Sequence, residues 1–137
     1  MSRKVLVPLV FGFVSLAAGM PAWAHHSFAA AYDTSKTITI KGTITQVRLT
    51  NPHSWFFLDV KDEATGKLSR WGFEAGTPSG MIRNGYKASE IKAGSVVTIQ
   101  YSPAKDPTQN AGMLNQLTTA EGKTYTRFGP VEGPGGQ

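Results

Sequence analysis

From Thr37 to Leu49 the chain alternates, with Ile38, Ile40 and Ile44 on one side and Thr37, Thr39, Lys41, Thr43 and Thr45 on the other. A period of two marks a half-buried strand. Gly42 falls on the apolar side, and after Gln46 the apolar phase moves to Val47 and Leu49. A one-residue slip in a long strand predicts a β-bulge, and a glycine in it would let the strand coil around a barrel.

Asn51-Pro52 ends that strand, and Ser54 to Lys61 reads as a second, with Phe56, Leu58 and Val60 facing in and Trp55, Phe57 and Asp59 facing out. Asp62 to Gly66 is a hairpin loop. Lys67 to Ala75 is the third strand, with Trp71, Phe73 and Ala75 opposite to Arg70, Gly72 and Glu74. Thr77-Pro78 then reads as an N-cap followed by proline at the first helical position, which predicts a short helix from about Pro78 to Asn84, stopped at Gly85. Ser95 to Ser102 is the fourth strand, with Val97, Ile99 and Tyr101 inward. Pro103 to Asn110 is a polar loop, Gly112 to Thr119 the fifth strand, and Thr124 to Phe128 a last extended piece after a turn at Glu121-Gly122-Lys123. Three strands, a short helix and two strands predict an all-β fold with small α content, a five-stranded OB-like Greek-key barrel. A β-sandwich needs about seven strands.

The ends differ from this body. Arg3 and Lys4 precede an apolar run from Val5 to Met20, then Pro21 and the small-x-small site Ala22-Trp23-Ala24. That is the pattern of a cleaved secretory signal peptide; the rival, a retained anchor, is disfavoured by Pro21 and the cleavage site. The expected organisation is a signal over residues 1–24, an N-terminal segment over 25–36, the barrel over 37–128 and a disordered Gly/Pro-rich tail over 129–137. The expected location is the periplasm, or outside the cell if the bacterium has one membrane.

Charge and composition narrow the partners. Removing 24 of the 137 residues leaves 113 and takes Arg3 and Lys4 away, so the formal charge falls from +5 to +3. Such a charge on an exported domain is ordinary solvation, so no nucleic acid is expected, nor any membrane contact after cleavage, and a monomer is expected. With no cysteine, disulfides, thiolate metal sites and cysteine nucleophiles are excluded. Neither H-E-x-x-H nor a phosphate-binding glycine loop between strand and helix occurs, which leans the reading away from an enzyme.

His25-His26-Ser27-Phe28, Gly42-Thr43, Asn51-Pro52-His53 with Trp55 two residues on, Asp59-Val60-Lys61-Asp62, Trp71 to Glu74 and Gly94-x-Val96-Val97-Thr98 occur in this order. Together they resemble a family of short exported bacterial proteins classed as a domain of unknown function, with an OB-like fold. The resemblance runs from about His25 to Tyr125. The chain departs from it at Ala120-Glu121-Gly122, where members tend to carry Pro-Asp-Gly. The resemblance implies export and fold, and no activity.

Cleavage after Ala24 would make His25 the first residue. Its α-amine and imidazole Nδ1 then close a six-membered ring on one metal ion, and a second imidazole completes a three-nitrogen set suited to tetragonal Cu(II). His53, in the loop between the first two strands, is the histidine available for that role; His26 offers a local alternative without it. From His25 to Thr37 the chain spans roughly 40 Å at about 3.3 Å per residue, enough for the segment to double back along the first strand and reach His53. The metal residues expected are therefore His25, His26 and His53, holding copper or another late transition metal.

Trp55, Phe57, Arg70 and Glu74 form a second constellation on the outward face of strands two and three, where OB-folds bind ligands. Either this face meets a small molecule or a periplasmic partner protein, or Phe28 and Tyr32 of the N-terminal segment cover Trp55 and Phe57. The function expected is that of an exported binding protein, for metal first and for a partner at the aromatic face as the alternative. No catalytic residue is assigned.

Overall fold

The computed structural model describes residues 28–126 and 129–130. The proposed signal peptide, His25, His26 and Phe128 lie outside the described residues. The elements in chain order are α1 (Phe28–Ala31), β1 (Ile38–Arg48), β2 (Trp55–Lys61), β3 (Leu68–Glu74), α2 (Pro78–Arg83), β4 (Val96–Pro103), β5 (Ala111–Thr119), β6 (Thr124–Thr126) and β7 (Gly129–Pro130).

Strands run in the order β3-β2-β1-β4-β5, and a parallel pairing of β3 with β5 closes the ring. All the other pairings are antiparallel. This is the expected OB-like barrel. β5 divides its second edge: Ala111 to Met113 take β3, and Gln116 to Thr118 take β6, so the strand that closes the barrel is not left open beyond the closure.

β1 serves two neighbours in turn. Ile38 to Thr43 pair with β4, and Thr43 to Arg48 pair with β2. At the changeover Gly42 passes so near β2 that an added Cβ would stand 2.8 Å from the Asp59 carbonyl oxygen. The register slips between Ile44 and Gln46, leaving Thr45 out of the ladder, its hydroxyl donating to the Phe57 carbonyl at 3.1 Å. The slip puts both Ile44 and Val47 on the core side. The bulge is thus real, but Thr45 occupies it; Gly42 does separate work at the close approach.

The inward faces of β2, β3 and β4 are as expected from alternation: Phe56, Leu58, Phe73, Val97, Ile99 and Tyr101 are buried together, joined by Leu114 and Leu117 of β5, which a second register slip opposite Gln100 and Tyr101 brings to one side. Burying each large apolar side chain contributes about 1.5–3 kcal/mol. Ile38 is a correction: lying at the open start of β1, it keeps 42% of its surface exposed. Leu49, past the end of β1, is also exposed.

α2 closes one end of the barrel. The Thr77 hydroxyl accepts from the Gly80 N–H, Pro78 stands in the first turn, and Met81 is buried in the core. Gly85 leaves the helix at φ 90°, and the Tyr86 hydroxyl donates to the Ile91 carbonyl at 3.1 Å, folding the following turn back.

Two expectations at the ends change. The N-terminal segment contains a short helix, α1, which Phe-Ala-Ala-Ala is too short to announce by periodicity. Gly129 and Pro130, read as the start of the tail, pair as β7 with Thr126 and Tyr125. Among the described residues no helix is long and apolar enough to cross a membrane.

Candidate functional site

The loop from β1 to β2 is drawn onto the end of β3. Ser54 N–H donates to the Gly76 carbonyl at 2.9 Å and Ala75 N–H to the Ser54 carbonyl at 2.8 Å, prolonging the β2–β3 ladder by one step. The Thr50 hydroxyl donates to the His53 carbonyl at 3.2 Å, closing the loop that contains the cis Asn51-Pro52 bond. His53 is thereby set beside Glu74, the last residue of β3, and its Nδ1 meets Glu74 Oε1.

The N-terminal segment arrives at the same carboxylate from another direction. Asp33 N–H donates to the Pro103 carbonyl at 2.8 Å, Lys105 N–H to the Ala31 carbonyl at 3.0 Å, and Tyr32 bridges Ala104. The segment therefore runs beside the end of β4 instead of doubling back along the first strand. Tyr32 is buried, and its hydroxyl donates to Glu74 Oε2. One turn earlier, the Phe28 ring lies 5.1 Å from the His53 ring and 6.3 Å from that of Tyr32.

Each oxygen of Glu74 thus serves a different element, one the β1–β2 loop and the other the N-terminal segment. The carboxylate side chain is only 14% exposed, so these two contacts are what compensates its burial. Burial pushes the Tyr32 phenol well above its ordinary range, and the hydrogen bond to Glu74 and the carboxylate's charge push the same way. Tyr32 therefore stays a donor at neutral pH.

The aromatic face holds together only in part. Trp55 and Phe57 stack on each other, centroids 6.1 Å apart and planes at 14°, and the Arg48 guanidinium lies 5.2 Å from the Phe57 ring centre. Gly72 makes room for this ring, since a Cβ there would stand 3.3 Å from Phe57. Arg70 is turned away to Asp59 at 3.2 Å, and Glu74 to His53 and Tyr32. Where Phe28 and Tyr32 were expected over Trp55 and Phe57, their described contacts fall on His53 and Glu74.

A separate groove of about 590 Å³ opens between Ile38, Trp71, Tyr101 and the β4–β5 loop, which explains the exposure of Ile38. Among the described residues, no three His, Asp or Glu side chains gather as a metal-binding group. Of the three expected metal ligands, His53 is described; His25 and His26 are outside the described residues. Sequence reasoning named Glu74 as part of an outward binding face and Tyr32 as cover, and missed that they meet. The only available signal was the outward register of Glu74 at the strand end nearest the His53 loop.

The model of a family of unknown function, DUF6152, matches residues 14–114. No curated protein matches the chain.

Proposed function

We propose that this chain, which belongs to the family of unknown function DUF6152, is an exported metal-binding barrel whose metal is copper or a similar late transition ion. The signal-like residues 1–24 are removed, and the new terminus supplies the His25 amine and imidazole, with His53 as the third nitrogen donor and His26 as a local competitor. The observation that carries this reading is the Phe28 ring against His53 at 5.1 Å. His25 stands three residues before Phe28, a stretch that covers at most about 10 Å. The long return along β1 is not needed, because docking at the end of β4 already brings Phe28 to His53.

Copper titration of three proteins tests it: the mature chain, the same chain acetylated on its α-amine, and His53→Ala. Acetylation turns the α-amine into an amide without supplying a new amine and leaves the barrel intact. The mature chain is expected to bind one Cu(II) at least tenfold more tightly than either variant, with nitrogen coupling in its paramagnetic resonance spectrum. Equal affinity in all three overturns the reading.

The stacked pair Trp55 and Phe57 under Arg48 favours a second reading, an interaction module that holds a small molecule or partner protein on the outer face of β2 and β3. Aromatic rings beside a guanidinium suit such recognition. Partner capture lost in Trp55→Ala and kept in His53→Ala would select it.

A further inference from the structure

The contact between His53 and Glu74 has a direction, and the direction decides which atom of His53 is free. A carboxylate can only accept, and a neutral imidazole carries one N–H. With Nδ1 against Glu74 Oε1, a neutral His53 carries its proton on Nδ1 and its lone pair on Nε2. The second oxygen of Glu74 is held by the Tyr32 hydroxyl, so the carboxylate is fixed at both ends, and the Phe28 ring packs beside the imidazole. His53 retains 30% side-chain exposure, against 14% for Glu74.

We propose that Glu74 is a positioning residue of the metal site, fixing the Nδ1–H tautomer of His53 so that Nε2 is the nitrogen offered to the metal. The proposal rests on the metal-binding reading above. A carboxylate behind a ligating imidazole orients the ring and raises its basicity, and losing such a partner typically costs about 10–100-fold in metal affinity. Here the same carboxylate also anchors Tyr32, four residues after Phe28, on the segment that carries His25. One side chain therefore holds both His53 and Tyr32, the first through Oε1 and the second through Oε2.

The test begins without metal, on the mature protein labelled with nitrogen-15. Long-range proton–nitrogen correlations of wild-type His53 should show the Nδ1–H tautomer, although free histidine favours Nε2–H. Glu74→Ala should return His53 to the free-histidine pattern. Glu74→Gln, whose amide oxygen still accepts, should keep the Nδ1–H form. Cu(II) affinity should fall about 10–100-fold in Glu74→Ala and less than tenfold in Glu74→Gln, and Zn(II), which is diamagnetic, should shift Nε2 of His53 and not Nδ1. A wild-type Nε2–H tautomer, or a tautomer unchanged in a folded Glu74→Ala protein, overturns the proposal. A wild-type Nδ1–H tautomer released by Glu74→Ala in a protein that binds no metal upholds the positioning of His53 and overturns the metal reading alone.

Discussion

Tyr32 donates its hydroxyl to Glu74, a hydrogen bond between residues 42 positions apart that ties the segment before the barrel to the last residue of β3. The bond matters because α1 has no buried residue of its own. A four-residue helix is not stable in water without tertiary support. The segment is held by Tyr32, the two backbone bonds to Pro103 and Lys105, the Lys105 ammonium on the Ala29 carbonyl and the Phe28 ring beside His53.

Tyr32→Phe should therefore loosen the segment and leave the barrel intact. Removing a hydrogen bond to a charged group costs about 1.5–3 kcal/mol. The Asp33 and Lys105 amides should exchange with solvent roughly tenfold or more faster, at about 1.4 kcal/mol per tenfold, while those of β2 and β4 are unchanged. Since the phenol's titration is raised above its ordinary 10.0, the stabilisation is present below about pH 10 and lost as pH climbs beyond it. Amide exchange of the variant beside the wild type checks both statements.

The core makes a second expectation. Phe56 and Phe73 are fully buried, and the Phe73 ring lies 4.9 Å from that of Tyr101. Phe56→Ala or Phe73→Ala should cost about 3–5 kcal/mol, whereas Lys41→Ala or Thr43→Ala, on the exposed side of β1, should stay within about 0.5 kcal/mol. Denaturant melts rank the four, and the reverse order would mean that the strand phases are misassigned.

Gly112 makes a third. A Cβ there would stand 2.3 Å from Tyr101 Cδ2 and 2.9 Å from the Ser102 carbonyl oxygen. Because the backbone side of that clash cannot swing away, Gly112→Ala should destabilise by about 1–3 kcal/mol. The β3–β5 closure should loosen first, seen as faster exchange of the Gly72 amide, which donates to Asn110 at 3.0 Å.

The first four strands are legible because each carries one apolar and one polar face, and the phase change at Gln46 announces a bulge. Thr77-Pro78 likewise announced α2, since an N-cap and a first-turn proline are local chemistry. The site was less legible. Alternation placed Glu74 outward with Trp55 and Phe57, but could not say that its carboxylate would bend toward partners on two other elements. Arg70 was placed on the right face and given the wrong company, because its cross-strand neighbour Asp59 satisfies it directly. The path of the N-terminal segment depends on backbone bonds to the end of β4, which leave no hydrophobic period to read.

Acid stability should depend on Glu90. The Lys123 ammonium, with help from the Tyr125 hydroxyl, holds this carboxyl down from 4.5 to about 2. A depressed carboxyl contributes stability above its unfolded value, and that contribution fades as pH falls from about 4.5 through about 2. Glu90→Gln should flatten the pH dependence of melting within that window and leave it unchanged near neutrality. An unaltered acid limb would mean that the link between the turn before β4 and β6 contributes nothing.

Processing decides whether the proposed metal site can exist. The chelate needs a free α-amine on a histidine, and the proposed cut after Ala22-Trp23-Ala24 would fall at the bond before His25. Intact mass of the protein recovered from the cell envelope should match a chain beginning at His25. Cleavage one residue later leaves His26 first, which preserves the two-nitrogen ring and shortens the reach to His53 by one residue. A retained signal, or a start beyond His26, removes the amine donor and with it the reading of this barrel as a metal binder. Ala24→Leu, which spoils the small-residue site, should shift the mass upward and abolish copper loading together, because both follow from the same cut.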